Sequence, residues 1–320
     1  MEGGRCMKKL TIYMIIGLIS LSIVNSPLSN QYVSILKSDS IVVGKQNNRL
    51  YQQIINNSKE YYVPASDAKL DPVWKATPGY NGIEVNIEAS YKKMKKTGIF
   101  NEEKLVFDQI KPNVHLENLK AAPIYRGNPE KPMVSFIINV AWGNEYLPEM
   151  LATLKKYNIT TSFFLEGRWV KENPDLAKMI SESGHEIGNH SYTHPDMKKL
   201  SATEIKNQIE KTNIVIEATT GRVCKWFGPP SGSYNEDVIK VADQTGVRTV
   251  LWSVDTIDWQ KPMPETIIQR VAGKIHPGAL ILMHPTESTT KALEGLIRVA
   301  EQKNYQISTV SDTISEERVY

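Results

Sequence analysis

The stretch MVSFIINVAWGNEYLPEMLATLKKYNITTSFFLEG, residues 133–167, sets the architecture. It opens on the apolar run Val134 to Val140, continues through a helical pattern from Leu147 to Tyr157, and closes on a second apolar run, Thr161 to Leu165. A short continuous apolar run bounded by turn signals reads as a strand buried on both faces, the kind found in parallel sheets. Strand, helix and strand in succession make one β/α unit. The alternation continues downstream with runs at Glu186 to Gly188, Trp226 to Gly228, Arg248 to Trp252, Ala279 to Met283 and Ser308 to Val310. Helical patterns at Pro174 to Ser183, Ala202 to Thr219, Glu236 to Gly246, Pro264 to Lys274 and Thr290 to Lys303 separate them. Seven such strands predict an α/β fold, a distorted or incomplete (β/α) barrel, whose chemistry belongs at the carboxyl ends of the strands.

Upstream, residues 29–127 are polar and mixed. Alternating runs at Tyr61 to Pro64 and Ile83 to Ile87 predict strands. The charged segment Glu88 to Lys104, interrupted at Gly98, predicts a partial helix, so a small α+β domain precedes the barrel. Ala121 to Pro132 carries three prolines and a Gly-Asn-Pro turn signal and reads as a linker, which places the barrel at residues 128–320. At the amino terminus, residues 1–28 read as an export segment: Arg5, Lys8 and Lys9 precede the apolar run Thr11 to Val24. That run is shorter than the ~20 residues that span a bilayer, and no small-x-small cleavage site follows it. A cleaved signal peptide and a retained membrane anchor both remain open, and either places the chain on the extracellular or cell-wall side.

Composition excludes several classes. With 41% hydrophobic and 23% charged residues the chain can build a sizeable core, and a net charge of +3 without a basic stripe argues against nucleic-acid binding. Cys6 and Cys224 are the only cysteines, and Cys6 precedes the apolar run, so neither a disulfide framework nor a thiolate metal site is expected.

The strand ends carry the chemistry. After the Glu186 run comes His190-Ser-Tyr-Thr-His194, two imidazoles four apart in a segment expected to form a helical turn. That spacing can converge two nitrogens on one cation, although two surface histidines beside a turn would look the same. Later ends supply Gly228-Pro-Pro230-Ser231-Gly232, Asp255-Thr-Ile-Asp258-Trp259 and Leu282-Met-His284.

In this order the segments resemble the motifs of the polysaccharide deacetylase family, the NodB-type or carbohydrate esterase family 4 proteins. The family patterns are His-Ser-x-x-His, Arg-Pro-Pro-x-Gly, Asp-x-x-Asp-Trp and Leu-x-His. The resemblance covers about residues 133–315 and implies hydrolysis of N-acetyl groups on peptidoglycan or a chitin-type oligosaccharide. It implies a divalent metal, zinc first, held by His190 and His194 with an Asp. It also implies His284 as general acid tuned by Asp258, and a sugar groove formed by Pro230, Ser231, Gly232 and Trp259. The family's first motif, Thr-Phe-Asp-Asp-Gly, departs here: Asn139 stands at the catalytic-base position, Val140 at the metal-ligand position, and Gly228 replaces the Arg that pairs with the base. An amide cannot take a proton from water, and an isopropyl group offers a cation nothing. Residues Asn139 to Tyr146 resemble the first motif of a subgroup from spore-forming bacilli. Two readings follow. One is a deacetylase of weak or altered activity; the other is a catalytically inactive glycan-binding or scaffolding protein of the cell envelope.

Overall fold

The computed structural model of the chain describes residues 48–319 and, ahead of them, residues 20, 22, 26–29 and 31. The export segment therefore falls almost wholly outside the described residues. Among those described, no helix is long and apolar enough to cross a membrane.

One parallel sheet holds β1 (Met133–Val140), β2 (Ser162–Leu165), β3 (Glu186–Asn189), β4 (Trp226–Phe227), β5 (Arg248–Thr249), β6 (Val254–Asp255), β7 (Leu280–Met283) and β8 (Gln306–Ile307), of which all but β6 and β8 lie in the apolar runs. Their order is β6-β7-β1-β2-β3-β4-β5, with β8 paired to the start of β1. The helices α1 (Leu147–Lys156), α2 (Gly167–Glu172), α3 (Pro174–Glu182), α4 (Ala202–Thr220), α5 (Glu236–Gln244), α6 (Pro264–Lys274), α7 (Glu287–Gln302) and α8 (Val310–Ile314) connect or follow them. β5 and β6 end the sheet unpaired with each other among the described residues, so this is an incomplete barrel.

Local chemistry fixes the helix ends. Ser201 Oγ accepts from the Glu204 N–H while Glu204 Oε2 accepts from the Ser201 N–H, a capping box that starts α4. Gly221, at φ +69°, stops the same helix in a left-handed turn that costs a glycine little.

The pleat of β1 sorts its side chains into two cores. Phe136, Ile138 and Val140 join an apolar cluster with Leu147, Met150 and Leu154 of α1 and Leu293 and Leu296 of α7. Ile137 joins a second cluster with Phe164, Trp226, Leu280 and Leu282 inside the curled sheet. Alternate residues of a strand point to opposite faces, so Asn139 shares the inner face with Ile137 while Val140 shares the outer one with Ile138.

Three expectations are corrected. The run Arg248 to Trp252 yields a strand only at Arg248–Thr249, and a further strand, Val254–Asp255, follows it. The last strand lies at Gln306–Ile307 rather than Ser308 to Val310, because Thr309 Oγ1 accepts from the Asp312 N–H and starts α8 at Val310. The segment Ala121 to Pro132 is no linker: Ile124 is fully buried and bridges Val250 beside β5, and Asn128 donates to the Pro78 carbonyl. Lys131 Nζ, almost wholly buried, donates to the carbonyls of Asp312 and Ser315 and to Ser315 Oγ, and burial pushes its pKa down to about 8.

The unit boundaries move accordingly. Described residues within Val63–Ile83 and Gln109–Tyr320 form the larger compact unit, and those within Met1–Tyr62 and Glu84–Asp108 the smaller. The division expected near Asn128 thus cuts through the larger unit, since Ala76 and Ile124 belong to the inner core of the sheet. The smaller unit packs two helices, Arg49–Ser58 and Ile87–Met94, around Leu50, Ile54, Val85, Met94 and Leu105.

Candidate functional site

His284 follows β7 and Asp258 opens a single 3-10 turn just after β6. Asp258 is fully buried and accepts three hydrogen bonds: from His284 Nδ1 at 2.8 Å, from the His284 main-chain N–H at 2.6 Å and from Thr289 Oγ1 at 2.6 Å. The bond to the carboxylate fixes the ring through Nδ1 and leaves Nε2 as its other polar atom. The loop that aims Asp258 is strained, because Ile257, a β-branched residue, sits at φ +55° with its N–H held by Asp255 Oδ1. Trp142 stacks on the His284 ring at 5.9 Å and 10°. Gly143 permits this. At φ +83° a Cβ there would lie 2.1 Å from the Pro285 carbonyl oxygen, so only glycine lets the Trp142 loop close on the His284–Pro285 segment.

His190 and His194 follow β3, but not on a helical turn. Ser191 and His194 both have positive φ, 64° and 55°, and the chain between them is irregular. One local partner and several distant ones hold it. Asn189 Oδ1 accepts from the Ser191 N–H, Gln208 Oε1 of α4 accepts from the N–H groups of Tyr192 and Thr193, and the N–H groups of Gly167 and Arg168 donate to the carbonyls of Ser191 and Tyr192. The two rings still meet, 5.1 Å apart and edge to face. His190 gives its Nδ1–H to the Gly228 carbonyl at 2.7 Å. Burial, with His194 nearby, pushes its pKa down to about 3, and burial also lowers that of His194, so both rings are neutral at neutral pH.

A cleft of about 450 Å³ collects Asn139, Ala141, Trp142, His190, His194, Ser231, Trp252, Asp255, Trp259, Leu282 and His284. Trp142 and Trp259 are 47% and 56% exposed, and form the open faces of its wall. Ser231, at φ +52°, joins this cleft to a second of about 340 Å³ lined by His194, Pro195, Asp196, Lys198 and Pro230 to Tyr234. Pro230 and Gly232 line only that neighbouring cleft, and the Gly232 N–H is already given to the Pro229 carbonyl.

Asn139 is 5% exposed, and its Oδ1 has no hydrogen-bond partner among the described residues. Val140 is fully buried in the outer apolar cluster and does not line the cleft. Gly228 leaves no room for a larger residue without movement, since a Cβ there would lie 3.0 Å from Phe164 Cδ1. Neither acid nor amide beyond the strand substitutes for what is missing. Glu145 is exposed outside the cleft, and Asn144 is tied to Trp169 Nε1 and Asn173 Oδ1.

The donor set does not fit the implied metal centre. Catalytic zinc takes three protein ligands and keeps one position open. Here two imidazoles stand together, and among the described residues no group of three or more His, Cys, Asp or Glu could hold a metal ion. Sequence reasoning also passed over Thr289 and Trp252 as site residues. Thr289 lies in the middle of a helical pattern and only the fold brings it to Asp258.

An open parallel barrel with a His paired to a buried Asp and a His-x-x-x-His loop at its strand ends defines a polysaccharide deacetylase fold, and the chain belongs to that family. The family model described as Polysaccharide deacetylase matches residues 126–250. YlxY of Bacillus subtilis (strain 168), an uncharacterized protein, is 50% identical over 96% of this chain and 97% of its own length. The peptidoglycan-N-acetylmuramic acid deacetylase PdaA of Bacillus subtilis (strain 168) is 30% identical over 61% of this chain and 76% of its own. Among solved structures, BA3943 of Bacillus anthracis, described as a CE4 family pseudoenzyme, is 52% identical, with a TM-score of 0.80 over 84% of this chain and 96% of that one. A mutant of BA3943 described as having restored enzymatic activity matches with the same TM-score at 51% identity, over 84% of this chain and 99% of that one.

Proposed function

We propose that the chain binds cell-wall glycan in the cleft between Trp142 and Trp259 and does not release acetate at the rate of the active deacetylases it resembles. The observation that supports this most is Asn139, an amide buried at the cleft floor where the family places its base. Hydrolysis of an acetamide needs a group that takes a proton from the attacking water. A side-chain amide cannot, and loss of a general base typically costs ~10²–10⁴ in rate. Val140 directs no donor into the cleft, so a divalent cation such as zinc would have His190 and His194 alone, and its occupancy is proposed to be low. The tryptophans offer flat apolar faces against which sugar rings can lie.

The name of PdaA supports peptidoglycan as the glycan, that of a chitooligosaccharide deacetylase from Azorhizobium caulinodans, 32% identical over 43% of this chain, supports a chitin-type oligosaccharide, and the Arg5 to Val24 segment supports an exported, envelope-side location with the membrane tether left to experiment. A second reading, weak hydrolysis, draws on the assembled His284–Asp258 pair, which would have an acid's geometry ready for a leaving amine. Acetate release from peptidoglycan and from N-acetylated chitooligosaccharides, run beside glycan pull-down, separates the two. Binding without acetate supports the first. Acetate release by the parent that disappears in His284→Ala supports the second.

A further inference from the structure

The space open to a ligand does not end at the tryptophan cleft. His194 and Ser231 also line the neighbouring cleft of about 340 Å³, and Tyr234, which lines that neighbour, is shared with a third groove of about 850 Å³. Ser231 and Tyr234 are three residues apart, at most ~11 Å of chain, so a short oligosaccharide can pass from one space to the next. The Tyr234 ring is held in place there by a 2.9 Å hydrogen bond between its hydroxyl and that of Tyr125. The third groove differs in chemistry from the cleft. Three tryptophans and, among the described residues, no Lys or Arg line the cleft, whereas Lys75, Lys120 and Lys240 line the groove with Glu236, Asp243 and the aliphatic stretch Ala121 to Pro123. All five charged residues are exposed, and Lys75 gives one of its three donors to the Pro72 carbonyl. The aliphatic stretch is fixed to the barrel: the Ala76 N–H donates to the Pro123 carbonyl at 3.1 Å, and the Ile124 N–H to the Thr249 carbonyl at 3.0 Å. Leu70, Lys75 and Lys120 to Pro123 precede the segment that the family model matches, so part of the lining comes from outside it. Neutral sugar rings gain from aromatic faces and little from charges of both signs. A short peptide with several carboxylates, one amine and methyl side chains matches the lysines, the acids and the aliphatic stretch together.

Resting on the glycan-binding reading above, we propose that the groove is a second subsite for the same ligand and takes the peptide branch of peptidoglycan. The cleft holds the sugar backbone, Lys120 and Lys240 meet carboxylates of the branch, and Glu236 and Asp243 meet its free amine. A glycan with its peptides in place engages two sites through one short tether, so the second contact forms at high effective concentration. An unbranched chitin-type chain brings nothing for these charges to meet. The groove thus selects peptide-bearing peptidoglycan over a bare neutral polysaccharide.

The test is calorimetric titration of the full chain with a peptidoglycan tetrasaccharide carrying its peptides, and separately with the same tetrasaccharide after an amidase has removed them. The expected result is about 10-fold tighter binding of the peptide-bearing form, the scale of two or three exposed ion pairs, with an advantage that shrinks as salt is raised. Lys120→Glu combined with Lys240→Glu reverses two exposed charges and should weaken the peptide-bearing ligand about 5–10-fold while leaving the stripped one unchanged. Lys178→Glu combined with Lys211→Glu makes the same change in net charge at exposed residues that line none of the three spaces, and should leave both affinities as they are. Unfolding temperature checks that each variant is folded. Equal affinity for the two ligands, an advantage that survives Lys120→Glu with Lys240→Glu, or an equal loss in the control pair overturns the proposal while leaving glycan binding intact. Binding of neither tetrasaccharide overturns the glycan-binding reading and the proposal together.

Discussion

Replacing Asn139 by Asp restores the chemical group that the family's reaction needs, yet the structure opposes it. The side chain is 5% exposed, no Lys or Arg among the described residues lines the cleft, Gly228 stands where a pairing Arg would, and a second carboxyl group, Asp255, lines the same cleft. Burial and a like charge both raise a carboxyl's pKa. For a site this enclosed a rise of ~2–3 units above the unfolded value near 4 is reasonable, and at ~1.4 kcal/mol per unit the ionised form costs ~3–4 kcal/mol. The sign follows from proton counting. Between the unfolded pKa near 4 and the raised folded value the native variant binds more protons than the unfolded chain, so its stability relative to the parent falls as pH rises through that window. Urea unfolding of parent and Asn139→Asp at pH 4 and pH 7.5 measures this directly, because the parent's own pH dependence cancels in the difference. The expected difference is near zero at pH 4 and ~3–4 kcal/mol at pH 7.5, with little gain in acetate release from the single change. Equal stability at both values would mean that the cleft supplies a counter-charge or solvent that the geometry does not show, and would refute the reasoning. Adding Gly228→Arg should recover part of the loss only if Phe164, fully buried and 3.0 Å from the new Cβ, can shift.

Three further outcomes are expected. His185 is 4% exposed, and burial pushes its pKa down to about 4. The unfolded chain therefore binds the extra proton first, and ~3 kcal/mol of stability present above pH 6.5 is lost as pH falls toward 4; His185→Gln should flatten that slope in unfolding curves. Gly143→Ala should cost at least ~2 kcal/mol, from the left-handed φ and the approach to Pro285, and should weaken glycan binding by displacing Trp142, read by urea unfolding and by Trp fluorescence on titration. Metal analysis of protein purified without chelator should give well under one zinc per chain, and chelator should leave the unfolding temperature unchanged; stoichiometric metal lost in a His190→Ala, His194→Ala double variant would mean a third ligand is recruited.

The sequence displayed the barrel because its strands are buried on both faces, and such runs are legible without context. Where strands shrink to two residues, as at Val254–Asp255, no periodicity survives to be read. Proline content made Ala121 to Pro132 look like a linker, but proline is compatible with a sheet edge, and one bridge at Ile124 leaves no pattern. The histidine pair was visible from spacing alone, whereas its irregular loop depends on Gln208 and on the Gly167 and Arg168 N–H groups, distant in sequence. Linear alignment placed Val140 beside the metal. Strand alternation, already implicit in the sequence, places it in the opposite core. The His284–Asp258 pair was readable from motifs, but the third donor to that carboxylate, Thr289, was not.

The most direct test of the account is to incubate the full chain with partially N-deacetylated peptidoglycan strands, recover the protein-bound glycan by ultrafiltration and count its acetyl groups by mass spectrometry. The account expects glycan retained with the acetyl number of an untreated control. Retained or released glycan short of acetyl groups, with the loss abolished in His284→Ala, would contradict it and make the chain a working deacetylase.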